Sequence, residues 1–86
     1  MNPAEAEILA LNALTFLAHS DEELDRFVAL SGILPADLKA HADDPDILAA
    51  VLDFILADDK RVIDFCESAS IDARTLHAAR RALPGA

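Results

Sequence analysis

The chain has no tryptophan, no tyrosine, two glycines and one cysteine in 86 residues. The lone Cys66 excludes an internal disulfide framework and fits a reducing compartment. Scarce glycine, with a 53% hydrophobic content built from Ala, Leu, Ile and Val, favours helices and argues against disorder. Bases are also few. Seven Lys and Arg face sixteen Asp and Glu, for a net charge of −9. That balance disfavours a general binder of nucleic acid or of anionic membranes, since both need clustered positive charge. Without Tyr or Trp there is no ready platform for base stacking, and the four phenylalanines are spaced as core. The longest uncharged run, Ile8 to Ser20, is too short to span a bilayer. Glu5 and Glu7 stand where a secretory leader would be basic. The expectation is a soluble cytoplasmic protein with no membrane partner.

What is present is a single all-α domain, residues 1–86, organised around residues 44–58. Between Ile47 and Ala57 the only charge is Asp53. On a helix, Ile47, Leu48, Val51, Leu52, Phe54, Ile55 and Leu56 cover an arc of roughly 200°. A helix this apolar must be buried on most sides, by its own chain or by a partner. At this length roughly 60% of the unfolded surface is buried, so good packing or association is needed.

Six short helices follow from the punctuation. Asn2 is an N-cap, with Pro3 at N1 and Glu5 at N3, for a helix reaching about Ala18. Its large apolar residues Ile8, Leu9, Leu11, Leu14, Phe16 and Leu17 leave a narrow polar strip at Asn12 and Thr15. Ser20-Asp-Glu-Glu23 reads as a capping box, and acids in the first turn suit the helix dipole. Leu24, Phe27 and Val28 point inward, and Gly32 is a C′ stop. Pro35 opens a short third helix, with Ile33 and Leu38 spaced as a staple and Leu34 a poor cap. Asp44-Pro45 opens the fourth. Asp58 caps the fifth, with Val62, Phe65, Cys66 and Ala69 inward. Asp72 caps the sixth, and Leu83-Pro84-Gly85 ends the chain.

Sliding the sequence on itself by 38 residues pairs Leu14 with Leu52, Phe16 with Phe54, Asp21 with Asp59 and Phe27 with Phe65. It also pairs Ile33 with Ile71, Leu38 with Leu76 and Ala40 with Ala78. Ser20 meets Asp58, and the two staples coincide. The expectation is two pseudo-symmetric three-helix repeats, about 2–42 and 44–83, with the first and fourth helices packed together at the centre.

No catalytic or cofactor-binding constellation emerges, and none is assigned. Cys66 lies on an apolar helical face with no histidine at helical spacing, whereas a nucleophile needs an adjacent base. It reads as a small buried hydrophobe. His19, His41 and His77 are scattered. His41 with Asp43, Asp44 and Asp46 lacks both an H-x-x-x-H pair and the pattern of an EF-hand loop, so no metal site is assigned. Residues 21–25 form an acidic patch that reads as capping plus solvation, with docking of a basic partner as the functional alternative. Charge is uneven: residues 1–43 hold eight acids and two bases (−6), and residues 44–86 eight acids and five bases (−3). In the sixth helix Arg74, His77 and Arg81 share one face, with Arg80 beside them. Basic residues there suit the dipole, and they are also a candidate charged contact face.

The segments EAEILALNALTFL from Glu5, RFVALSGILPADLKA from Arg26, ILAAVLDFIL from Ile47 and RRALPG from Arg80 together resemble a small, mostly alphaproteobacterial family known only as a domain of unknown function. The resemblance implies a small cytoplasmic helical protein and carries over no catalytic residue. Leu34 stands where it implies an acidic cap.

These readings lead to a non-enzymatic protein–protein interaction or adaptor module, working as a homodimer or with another protein. If six helices cannot cover both apolar arcs, the surplus forms a partner surface, with Leu11, Leu14, Leu52 and Leu56 as the expected residues. The alternatives are a nucleic-acid-linked regulator using Arg74, Arg80 and Arg81, and a small enzyme or metal protein centred on Cys66 or His41.

Overall fold

Six helices, with no strand, make up residues 1–84, which are the residues described by the structure, a computed structural model. Each helix starts where the sequence punctuates it. The Asn2 side chain accepts a hydrogen bond from the Glu5 amide at 2.8 Å, and α1 spans Pro3–Ala18. The Ser20 hydroxyl accepts from the Glu23 amide at 3.3 Å to open α2, Asp21–Ser31. Gly32 closes α2 at φ +74°, a left-handed geometry that costs glycine nothing sterically. α3 is only Pro35–Ala40, and Leu34 gives it no side-chain cap. α4 spans Pro45–Leu56 behind an Asp44 cap, and α5 spans Asp59–Ala69 behind Asp58. α6 spans Ala73–Arg81, with the Asp72 carboxylate accepting from the Thr75 amide at 2.9 Å. That bond holds the Asp72 carboxyl below the usual carboxylate range. The expected stop at Leu83-Pro84-Gly85 is described only to Pro84; Gly85 lies outside the described residues.

α1 and α4 pack together at the centre and share the broadest helix–helix contact. The two faces that meet differ in kind. α4 buries Leu48, Val51, Leu52 and Ile55 completely. α1 buries Ala6, Ala10, Ala13 and Leu17, spaced i, i+4, i+7, i+11. Alanine lets the two backbones approach, so the large side chains of α4 fill the interface alone. The leucines of α1 are displaced to its flanks. α4 is further enclosed by α2, α5 and α6, and α6 also packs on α1. α3 makes only slight contact with any helix and sends Leu38 alone into the core.

Two aromatic pairs flank the centre. Phe16 meets Phe65 at 5.4 Å between ring centroids, and Phe27 meets Phe54 edge-on at 5.5 Å. A 38-residue shift turns one pair into the other. The same shift lays α2 on α5 over the full length of both. It also lays Gly32 on Ser70, which closes α5 at φ +58°. Ser70 adopts that geometry at a cost of about 1–2 kcal/mol, which glycine would avoid. The halves part elsewhere. α1 has 16 residues and α4 has 12, and α3 has 6 where α6 has 9.

Glu23 departs from the capping box. Its carboxylate turns away from the helix start and accepts from Arg61 Nε at 2.6 Å. Arg61 also donates to the Phe54 carbonyl at 3.1 Å, and its guanidinium lies 4.0 Å over the Phe54 ring. One side chain, 11% exposed, thereby ties α2, α4 and α5 together.

Candidate functional site

The exposed large apolar side chains are spread over α1 (Ile8, Leu11), the end of α2 (Leu30), the residue before α3 (Leu34) and α5 (Ile63), and none is on α4. Ile8 is 62% exposed and Leu11 37%, while Leu14 is half-buried. Because α1 turns its alanines to α4, its leucines are free to face outward. Of the four expected surface residues, Leu11 and Leu14 lie one turn apart on α1. Leu52 is corrected: it is wholly buried, since α4 is enclosed by four helices. Leu56 is half-buried and packs against the core.

Leu14 and Ala18 line a cleft of about 510 Å³, closed on the far side by Leu24 of α2 and by Pro35, Ala36 and Leu38 of α3. Lys39 is the one charged residue in its lining. The cleft is open because α3 ends after six residues and packs loosely. At the corresponding corner, 38 residues on, α6 packs down on α4, and Leu52 and Leu76 are wholly buried. No acid lines the cleft itself, and acids stand near its lining residues in the sequence. Glu7 shares a face with Leu11 and Leu14 at i+4 and i+7, and Asp21 shares a face with Leu24 at i+3. Asp25 is next to Leu24. Among the described residues none of the three forms an ion pair.

Two smaller hollows carry less. One of about 270 Å³ between α2 and α4 is lined by Phe27, Leu30, Ala50 and Phe54. Another, of about 280 Å³ between α1 and α5, presents Asn12, Thr15, His19 and Ser68 beside Phe16 and Phe65. The Thr15 hydroxyl there is spent on the Leu11 carbonyl at 3.1 Å.

The basic face of α6 is also corrected. Arg74, His77 and Arg81 are exposed, but Arg80 faces inward. Its Nε donates to Asp53 Oδ1 at 2.6 Å and its Nη1 to the Pro84 carbonyl at 2.9 Å, so it pins α6 and the chain end to α4. The sequence carried a signal for this: Asp53 is the lone charge on an otherwise apolar helix and needs a counter-ion nearby.

Cys66 is half-buried on α5. Burial, and then the charge of Asp72, push its thiol up, which leaves less thiolate at any given pH. Alkylation by iodoacetamide near pH 8.5, where about half of an unhindered thiol is ionised, should therefore run slower than for free cysteine. A rate at or above that of free cysteine would show an activated thiol instead. Among the described residues no three His, Cys, Asp or Glu side chains gather where they could hold a metal ion, and no helix is long and apolar enough to cross a membrane.

No curated protein and no solved structure matches the chain. A family model does, over residues 3–86, and it takes in every helix and the whole cleft. The chain belongs to that family, described as proteins of unknown function (DUF3572).

Proposed function

We propose that this chain is a non-catalytic protein–protein interaction or adaptor module that works in the cytoplasm. One observation carries the reading: a cleft of about 510 Å³ is lined by apolar side chains apart from Lys39, and Ile8 and Leu11 on the same helix α1 are exposed. Apolar surface of this kind on so small a domain is what interfaces use. The side chains in it supply neither a nucleophile nor a base. The free cysteine supports a reducing compartment. The basic-face alternative is weakened, because Arg80 is already bonded to Asp53.

Tagged full-length chain, expressed at its native level and captured with bound proteins, should retain a stoichiometric partner through a high-salt wash. Apolar contacts survive screening, whereas exposed charge pairs do not. Recovery of the bait alone, or of partners released by salt, would overturn the reading.

A further inference from the structure

We infer that α3 is a strap: it undocks from the domain on its own, swinging on Gly32 and on residues 41–44, and the cleft it walls opens with it. Pro35, Ala36, Leu38 and Lys39, four of the seven residues that line the cleft, belong to α3. The purpose of the movement rests on the interaction-module reading, while the movement itself does not.

Little holds α3 down. Of residues 34–41 only Leu38 is buried, and the other seven are exposed. The nearest side-chain hydrogen bonds in the chain are Ser31 with the Ile33 amide and Asp44 with the Asp46 amide, and both lie outside the strap. Its backbone bonds are local. The Leu38 amide donates to the Leu34 carbonyl at 3.1 Å, and the His41 amide to the Asp37 carbonyl at 2.8 Å. A segment with one buried contact and no bond to its neighbours opens at the low end of a protein's stability range. Six residues off the core do not keep a helix, so the undocked strap also loses its backbone bonds.

α6 shows what α3 lacks. It occupies the corresponding place 38 residues on, and Leu76 is buried there as Leu38 is here. The other anchors of α6 have no equivalent. Asp72 caps α6 through the Thr75 amide, where α3 has Leu34 and no cap bond. Ala79 is fully buried, where the end of α3 has exposed His41. Arg80 bonds Asp53 of α4, and the residues 38 positions earlier are Ala42 and Thr15. The Thr15 hydroxyl is spent on its own helix.

Both ends of the strap suit a hinge. Gly32 sits at φ +74°, and a Cβ built there would meet nothing within 4 Å, so glycine serves the backbone rather than the space around it. At the other end Asp44 caps α4 through the Asp46 amide, which fixes the start of α4 whether or not α3 is seated.

The test is amide hydrogen exchange on the full-length chain, followed residue by residue by NMR at urea concentrations below the unfolding transition. The amides of Leu38 and His41 should exchange at least about 100-fold faster than those of Leu52 and Ile55 on α4, with little dependence on urea, because opening α3 exposes little surface. Ala10→Leu, which loosens α1 from α4, should speed the α4 amides about fivefold or more and leave the two α3 amides unchanged. Leu38→Ala, which removes the one anchor, should bring the α3 amides to the rate of an unprotected chain. Leu34→Asp supplies the missing cap at an exposed residue already at φ −73° and ψ 147°, and should slow them about fivefold. The strap is overturned if the α3 amides share the rate and urea slope of α4, if Ala10→Leu speeds both sets equally, or if Leu38→Ala leaves α3 protected. No slowing in Leu34→Asp would count against it in the same way, and that variant keeps the test decisive if Ala10→Leu or Leu38→Ala fails to fold. If a salt-resistant partner is captured while α3 exchanges together with α4, the strap fails and the interaction reading survives. If α3 opens alone and no partner is captured, the strap stands and that reading falls.

Discussion

Phe27→Ala should cost about 3–5 kcal/mol of folding stability, the usual toll for deleting a buried ring. An 86-residue domain has roughly 4–13 kcal/mol in total, so the variant should be partly unfolded at physiological temperature. Phe27 is 1% exposed and sets its edge against Phe54. Phe54 is held from another direction by the Arg61 guanidinium, which is itself anchored on Glu23. With Phe54 fixed in this way, the site cannot collapse easily into the space left behind, and the cavity cost stays high. The lost aromatic contact adds about 0.5–1.5 kcal/mol within that total. Urea unfolding followed by circular dichroism is the measurement, with Phe27→Leu as a control expected to lose about 1.5 kcal/mol or less. A loss under about 1 kcal/mol in Phe27→Ala would mean that the pair lies outside the cooperative core.

What could be read in the sequence was its punctuation. Asn2, Ser20, Asp44, Asp58 and Asp72 each cap the helix assigned to it. Gly32 ends α2. A short polar side chain before an apolar run has few other local uses, so these signals are nearly independent of context. The register of the faces was less legible. Counting large apolar side chains shows α1 as apolar nearly all round, with a polar strip at Asn12 and Thr15, and does not single out the alanines that face α4. Apolar periodicity cannot separate a helix that buries its largest residues from one that buries its smallest. Only the partner decides, and α4 brings enough volume for both.

The same limit explains the two arginines. Arg61 and Arg80 are ordinary exposed bases on their own helices, and both become cross-links once α2 and α4 are set beside them. By spacing, Glu23 is half of a capping box, a local bond of modest worth. It makes a bond across 38 residues instead, because Arg61 offers a charged donor at a partly buried place. For the candidate site, the sequence could show an apolar surplus and an acidic half. It could not show that part of the surplus borders a cleft at the end of α1, since that follows from the shortness of α3 and the loose way it packs.

The inverted face of α1 makes a second large effect measurable. Ala10→Leu should destabilise the protein by about 1–3 kcal/mol or more, although it adds apolar volume to an apolar site. Ala10 is fully buried, in the middle of the face that α1 turns to α4. Every other side chain at that contact is held in a filled interior, so three extra carbons must push the two helices apart. α4 is backed by α2, α5 and α6 and has little freedom to retreat. For a domain of this size the fall in Tm should be about 4–8 °C for each kcal/mol. Leu11→Ala, one position further on the same helix, removes a large side chain that is 37% exposed and should change stability by about 0.5 kcal/mol or less. The pair reverses the ranking that side-chain size alone gives: enlarging the small residue is costly, and truncating the large one is cheap. A stability loss in Leu11→Ala equal to that of Ala10→Leu would place Leu11 in the core. It would also remove Leu11 from the exposed apolar surface that supports the interaction reading.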